Sequence, residues 1–322
     1  MFRNYLIIAI RYLLKNKVFS IINILGLSLG MAFTIIVFLW IQDELSWDRF
    51  HENSENIYRI VQRQHDGHLT PVTPDALAPH LATEYPEVVN AARYRQVNKI
   101  QLRYGDNSFA ERPLVADPSY FEVFSFPFLR GDPLSAFLDP RSIAITQELA
   151  FKLFGQEDPI GKRLIVNSGS ALRVTGVLAN VPRNSSLQFS CVLPYELMTG
   201  GKTDNDWIIN STWTYVELGE GGSGPDLESR ISDLASDRDP RNKAQLLLQP
   251  LTGIHLNPQG QGGPILYVYI FSAMAVFVLL IACINFINLT TARSTLRARE
   301  IGLRKVVGAR RANLIRQFFG ET

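Results

Sequence analysis

Cysteine is scarce in this sequence: among 322 residues only Cys191 and Cys283 occur. Cys283 lies in an uncharged apolar run and Cys191 outside it, in the region before that run, so the two are not expected to pair and no disulfide framework is expected. No repeat or low-complexity tract appears. Local catalytic arrangements are missing as well. No Ser-His-Asp or Cys-His grouping is suggested, and the adjacent Asp43 and Glu44 read as the acidic exit of a span. Gly155 to Lys162 is no phosphate loop: five residues separate Gly155 from Gly161 where four are needed, and Arg163 follows the lysine where Ser or Thr is required. His65-Asp66-Gly67-His68 supplies three potential metal ligands in one loop but no nearby cysteine, and reads as a solvated turn. Asn184-Ser185-Ser186 and Asn210-Ser211-Thr212 satisfy the glycosylation pattern, which by itself points to no chemistry of this chain.

Charge is absent from two long runs, residues 19–41 and 264–289. Each exceeds the roughly 20 apolar residues that a bilayer core requires. The net charge of +2 hides a division by position. The flanks before residue 19 and after residue 289 hold twelve basic and two acidic residues, while the rest of the chain holds twenty basic and twenty-eight acidic. Lys and Arg are retained on the cytoplasmic side, so residues 1–18 and 290–322 are expected inside and residues 42–263 outside. The first run is too long for a signal-peptide core and no A-x-A-like site follows it, so it is read as a retained anchor. Gly26 and Gly30 form a G-x-x-x-G pair there, which either permits close helix packing or reflects the ordinary glycine tolerance of membrane helices. Asn285 and Asn288, three residues apart, share a helix face near the cytoplasmic end of the second run and are read as helix-packing residues.

The region between the runs reads as α+β, with about 220 residues to build its own core. Helices are expected at 75–85, 147–154 and 225–235. Strands are expected at 57–62, 97–104, 142–145, 172–178, 212–218 and 245–248, where β-branched or aromatic residues are bounded by turn residues. Asp117-Pro118 suits a turn that caps a helix, with Tyr120, Phe121 and Phe124 at helical spacing as core. Gly155 is expected to stop the helix before it, and Asp158-Pro159 to turn the chain.

After the second run the chain becomes strongly basic. Leu296, Leu303, Val307, Leu314 and Phe318 form one helical stripe, and Gly302 and Gly308 favour a bend. Arg297-Ala298-Arg299-Glu300-Ile301-Gly302-Leu303-Arg304-Lys305-Val306-Val307-Gly308-Ala309 resembles the cytoplasmic elbow of MacB-like and FtsX-like ABC transporter permeases. The middle region resembles their periplasmic core domain in Trp47-Asp48-Arg49-Phe50-His51, Ala116-Asp117-Pro118-Ser119-Tyr120-Phe121, Lys152-Leu153-Phe154-Gly155, Asp158-Pro159-Ile160-Gly161-Lys162, Val174-Thr175-Gly176-Val177, Val181-Pro182-Arg183-Asn184-Ser185, and Gln249-Pro250-Leu251 through Ile254-His255-Leu256. Cys283-Ile284-Asn285-Phe286-Ile287-Asn288-Leu289 is similar to the family too, particularly its Bacteroidetes-type members.

The resemblance implies an α+β periplasmic domain between two transmembrane helices, followed by an amphipathic elbow at which Arg297, Glu300, Ile301, Gly302, Arg304, Lys305, Gly308 and Ala309 meet a cytoplasmic ATPase. By that resemblance the subunit holds no cofactor or metal and is not itself catalytic. ATP and Mg2+ belong to the partner ATPase. A second permease copy and a periplasmic adaptor are the other implied partners. The implied location is the bacterial inner membrane, and the implied cargo an antimicrobial compound, peptide or lipoprotein. Nucleic acid is not implied. The family carries further spans beyond the elbow, so the sequence is expected to continue past Thr322. The alternative is a two-span receptor whose outer domain binds a ligand.

Overall fold

The computed structural model describes residues 17–167, 169–200, 206–258 and 263–306, and the chain divides into two compact units. One unit holds two apolar helices, α1 (Lys17–Leu45) and the helix Pro264–Val306. Their hydrophobic stretches, Ser20–Leu45 and Pro264–Asn288, have mean hydropathies of 2.4 and 2.7. Only 11 % of each is buried, where the core helix of a soluble protein would be mostly covered. α1 continues past the expected limit at residue 41, through Gln42 to Leu45. In hydrocarbon a helix satisfies its own backbone, and the hydroxyls follow suit: Thr34 Oγ1 donates to Gly30 O at 2.8 Å and Ser272 Oγ to Val268 O at 2.6 Å.

The other unit, Glu44–Ile265, is a mixed α/β domain. Its strands are β1 (Ile57–Arg63), β2 (Leu69–Thr70), β3 (Thr73–Pro74), β4 (Val88–Gln96), β5 (Ile100–Tyr104), β6 (Asn107–Glu111) and β7 (Leu114–Ala116). They continue with β8 (Phe128–Arg130), β9 (Ser142–Thr146), β10 (Arg163–Val166), β11 (Ser170–Leu178), β12 (Cys191–Pro194), β13 (Asn210–Leu218) and β14 (Gln245–Pro250). The sheet runs β14-β1-β13-β4-β7-β12-β9-β11-β10-β5-β6. Its pairings are antiparallel except β11 with β9 and β12 with β7. The helices are α2 (Leu77–Glu84), α3 (Tyr120–Val123), α4 (Gln147–Phe154), α5 (Glu196–Thr199), α6 (Gly224–Ile231) and α7 (Leu234–Arg238), and the Pro264–Val306 helix is α8.

Local sequence accounts for several of these boundaries. Thr146 caps α4, its Oγ1 accepting from Leu149 N at 3.4 Å, and Gly155 ends the helix at a φ of 61° that other residues resist. Ser223 caps α6 and Pro225 occupies its first turn. The single helix expected over 225–235 is two, because Asp233 leaves the helical region at ψ 1°. The strand expected from Val97 starts only at Ile100, with residues 97–99 in a loop.

Asp117 does not cap α3, which has Ser119 at its N-cap and no side-chain cap bond. Its carboxylate instead takes Arg93 Nε at 3.1 Å and Arg93 N at 3.1 Å. Arg93 also donates to Asp75 O and lies 4.1 Å from the Tyr195 ring centroid, so one buried guanidinium joins β4, β7 and the turns before α2 and α5. Burial pushes the Asp117 carboxyl up while Arg93 opposes the shift. Tyr120, Phe121 and Phe124 are core, with Tyr120 and Phe124 fully buried against Tyr94, Phe126 and Tyr215. Cys191 is buried and its thiol is pushed up to about 12 by that burial, while Cys283 is exposed in the other unit.

Candidate functional site

The chain enters the domain at the end of α1, and the segment that follows gathers two other motifs around it. Arg49 Nε donates to Leu45 O at 2.9 Å, satisfying a carbonyl that the last helical turn leaves open. Asp48 adopts a left-handed φ of 57°, and its N donates to Asn184 O at 2.9 Å. Its Oδ1 accepts from Ser186 N at 2.7 Å, and Asn184 Nδ2 returns to Ser46 Oγ at 3.0 Å. Val181-Pro182-Arg183-Asn184-Ser185 thus clasps Ser46 and Asp48. Burial pushes the Asp48 carboxyl up, with the bonds from Ser186 working against it.

His51 is buried between Phe50, Phe124 and Phe126, and its Nδ1 accepts from Ser125 N at 3.1 Å. Burial lowers its pKa to about 4, so the ring is neutral at pH 7. Asp48 Oδ2, His51 Nε2 and Tyr120 OH are buried without partners among the described residues.

The third motif meets the entry segment near the exit of the domain. Trp47 stacks on His255 with ring centroids 3.6 Å apart and planes within 2°. His255 Nε2 donates to Glu44 Oε1 at 2.7 Å, both side chains being largely covered at 20 % and 12 % exposure. The residues that carry the chain in and the residues that lead it out toward Pro264 are thereby clamped to each other. Nothing in the local sequence marks this clamp, because Glu44, Trp47 and His255 come together only through the fold.

Of the residues singled out in the sequence, Gly26 and Gly30 face α8. A Cβ on Gly30 would fall 2.8 Å from Ala282 Cβ, and one on Gly26 would fall 3.4 Å from Asn285 Nδ2. Asn285 and Asn288 are otherwise exposed. Arg297, Glu300, Ile301, Gly302, Arg304 and Lys305 lie on α8, whose helix runs without a break to Val306. The bend expected at Gly302 is therefore not a break in the helix. One glycine costs about 1 kcal/mol, and the good helix formers around it, Arg299, Glu300, Leu303 and Arg304, carry the helix through. Gly308 and Ala309 lie outside the described residues. The His65–His68 loop is an exposed turn closed by Gln64 N donating to His68 O at 2.8 Å, with no metal-binding group of three or more His, Cys, Asp or Glu among the described residues. Lys162 donates to Glu157 Oε2 at 2.7 Å and Tyr104 OH at 2.9 Å, which ties down a surface loop.

Comparison with known proteins settles the family. The model of the MacB-like periplasmic core domain matches residues 20–234, and that of the FtsX-like permease C-terminal region matches residues 272–322. The chain belongs to the MacB-like permease family. It is 25% identical to the macrolide export ATP-binding/permease protein MacB of Photorhabdus laumondii, covering 99% of this chain and 50% of that protein. The MacB of Escherichia coli K12 is 24% identical with the same coverage. The chain thus spans half the length of these curated relatives. Among solved structures, a domain of a protein described as a permease from Porphyromonas gingivalis superposes with a TM-score of 0.55 at 26% identity, covering 62% of this chain and 92% of that one. The MacB-like permease family is a family of ABC transporter permeases.

Proposed function

We propose that this chain serves in the bacterial inner membrane as the permease subunit of a MacB-like transporter, with the mixed domain periplasmic and both flanks cytoplasmic. A partner ATPase binds ATP and Mg2+ and closes. The basic end of α8 receives that motion, and the membrane helices pass it to the domain, so cargo need not cross the bilayer through this subunit. A second permease copy completes the membrane unit, an adaptor extends it, and the cargo is an antimicrobial compound, peptide or lipoprotein. The observation that carries the reading is the pairing of the two family matches in one chain with a domain whose entry and exit are clamped. A loose linker would dissipate a displacement of the helices, whereas the Glu44–His255–Trp47 clamp makes entry and exit move together.

Arg297, Glu300 and Arg304, spaced three and four residues apart, are the residues to which this reading gives complementary charge with an ATPase surface. The test uses the permease assembled with its ATPase. Glu300→Lys, Arg304→Glu and Gly308→Val should each weaken co-purification of the ATPase and its stimulated turnover, while membrane insertion persists. Unchanged association and turnover in all three would reduce this segment to an anchor on anionic lipid.

A further inference from the structure

The hairpin of β5 and β6 stands on two short connections, residues 97–99 and 112–113, and beside its foot opens a cleft of about 770 Å³. Gln96, Asn98, Lys99, Arg112, Gln188 and Trp213 line it. The first rung of the hairpin pairs Ile100 with Glu111, so Lys99 and Arg112 flank that rung from its two strands. Two like charges brought together at the end of an antiparallel pair repel and cost stability unless something neutralises them. Among the described residues, neither Lys99 nor Arg112 makes a hydrogen bond or ion pair. Five other cations of the domain, Arg93, Lys152, Lys162, Arg173 and Arg241, each have an acidic partner within the fold. Glu111, beside Arg112 in sequence, lines a separate cavity with Glu148 and Lys152.

The rest of the lining specifies more than an anion. Trp213 stacks on Tyr94 at 5.3 Å between centroids and 7° between planes, which holds its half-buried ring as a fixed apolar wall of the cleft. Gln96 and Asn98 each bring an amide that both donates and accepts, the chemistry that a peptide backbone presents in return, while Gln188, whose Nε2 donates to Pro182 O at 2.8 Å and Ser185 O at 2.9 Å, offers its amide oxygen. Besides Trp213 the apolar lining is Val97, Pro113 and Leu114, of which Pro113 and Leu114 are buried, so an acyl chain would find little exposed apolar surface, and a bare anion would leave the indole unused.

We propose that this cleft binds an acidic peptide segment, its carboxylates held by Lys99 and Arg112 and an apolar side chain laid on Trp213. The segment belongs to another protein chain. Arg112 can take a carboxylate through two parallel N–H bonds, while Lys99 adds a point charge. The proposal names a ligand class for the outer domain and stands apart from the coupling of α8 to an ATPase.

Binding is measured by fluorescence anisotropy on the full chain in nanodiscs. The probe is a short fluorescein-labelled peptide alternating glutamate and phenylalanine, with a glutamine-for-glutamate analogue as its neutral counterpart. The acidic peptide should bind, more weakly as salt rises, and the analogue should bind about tenfold or more weaker, equivalent to about 1.4 kcal/mol. Lys99→Gln and Arg112→Gln should each lower affinity for the acidic peptide by about tenfold. Both residues are exposed, so thermal unfolding should be unchanged. The double charge reversal Lys99→Glu with Arg112→Glu should transfer preference to a lysine–phenylalanine peptide, a gain that misfolding cannot mimic. Wild-type chain that ignores the acidic peptide, or Arg112→Gln that binds it undiminished, overturns the proposal. So does inorganic phosphate displacing the peptide at matched charge concentration, which would leave a simple anion site. ATPase association, measured on the same Gln variants in the assembled permease, should be intact, so loss of peptide binding cannot be confused with loss of coupling.

Discussion

The imidazole of His255 lies flat on the indole of Trp47, ring centroids 3.6 Å apart, and donates from Nε2 to Glu44. A stacked pair contributes about 0.5–1.5 kcal/mol beyond its buried area, and a hydrogen bond to a charged group about 1.5–3 kcal/mol. The double-mutant cycle of Trp47→Leu and His255→Asn should therefore show a coupling of about 1 kcal/mol in thermal unfolding. In the assembled permease either change should lower cargo-stimulated ATP turnover while ATPase co-purification stays constant. Equal turnover in the double variant would make the clamp a stability feature alone.

Gly30 predicts a second effect, confined to the helical unit. A Cβ there meets Ala282 Cβ at 2.8 Å, closer than two such atoms sit without movement, and Ala282 is buried. Gly30→Leu should lower thermal stability in detergent by about 1–3 kcal/mol through overpacking. Ala282→Gly should restore part of the loss by reopening the space. Gly26 should tolerate Ala more readily, since its would-be Cβ meets only the amide end of Asn285 at 3.4 Å. A Gly30→Leu chain as stable as wild type would show that this contact does not hold α1 and α8 together.

Several parts of this fold are written locally and others are not. Helix α4 is legible residue by residue, because Thr146 caps it and Gly155 ends it. The strand β4 is not: Asn90, Arg93, Arg95 and Gln96 interrupt its apolar character, and Arg93 is buried only because Asp117 and Asp75 O, distant in sequence, satisfy it. The same pairing explains why Asp117 fails as a cap, since its carboxylate is already engaged. Residues 97–99 look like strand by composition, yet pairing begins at Ile100 opposite Glu111. The motifs Trp47–His51, Val181–Ser185 and Ile254–Leu256 were each visible as wording, but their convergence on one junction depends on long-range packing. The unpaired state of Lys99 and Arg112 is likewise a property of what the fold leaves out of reach.

The charge division predicts sidedness. Residues 42–263 carry the acidic excess and the flanks the basic one, so the mixed domain should face outward. A cysteine substituted in the domain should react with a membrane-impermeant maleimide in intact cells, in a chain already carrying Cys283→Ala. Ser223 is a poor choice because its side chain caps α6. Glu220, next to the left-handed Gly221 and outside any helix or strand, is better. Labelling of Glu220→Cys only after lysis would invert the topology.

His51 predicts how stability responds to acid. Its folded pKa is lowered to about 4 by burial, against 6.5 for the ordinary group. Between those values the unfolded chain binds a proton that the folded chain refuses. The contribution of His51 is therefore fully present above pH 6.5 and is lost as pH falls toward 4, by an amount on the order of 3 kcal/mol at most. Asp48 acts with the opposite sign: its carboxyl is pushed up, so the folded state takes its proton more readily and acid relieves the cost of that buried charge. The two are separated by His51→Phe, which fits a site already walled by Phe50, Phe124 and Phe126. That change leaves Ser125 N without its acceptor, a loss of about 1–3 kcal/mol that is the same at every pH. What distinguishes the titration is the slope. Thermal unfolding followed from pH 7 to pH 4 should fall less steeply in His51→Phe than in wild type, and parallel curves would show that this histidine does not stay neutral in the fold.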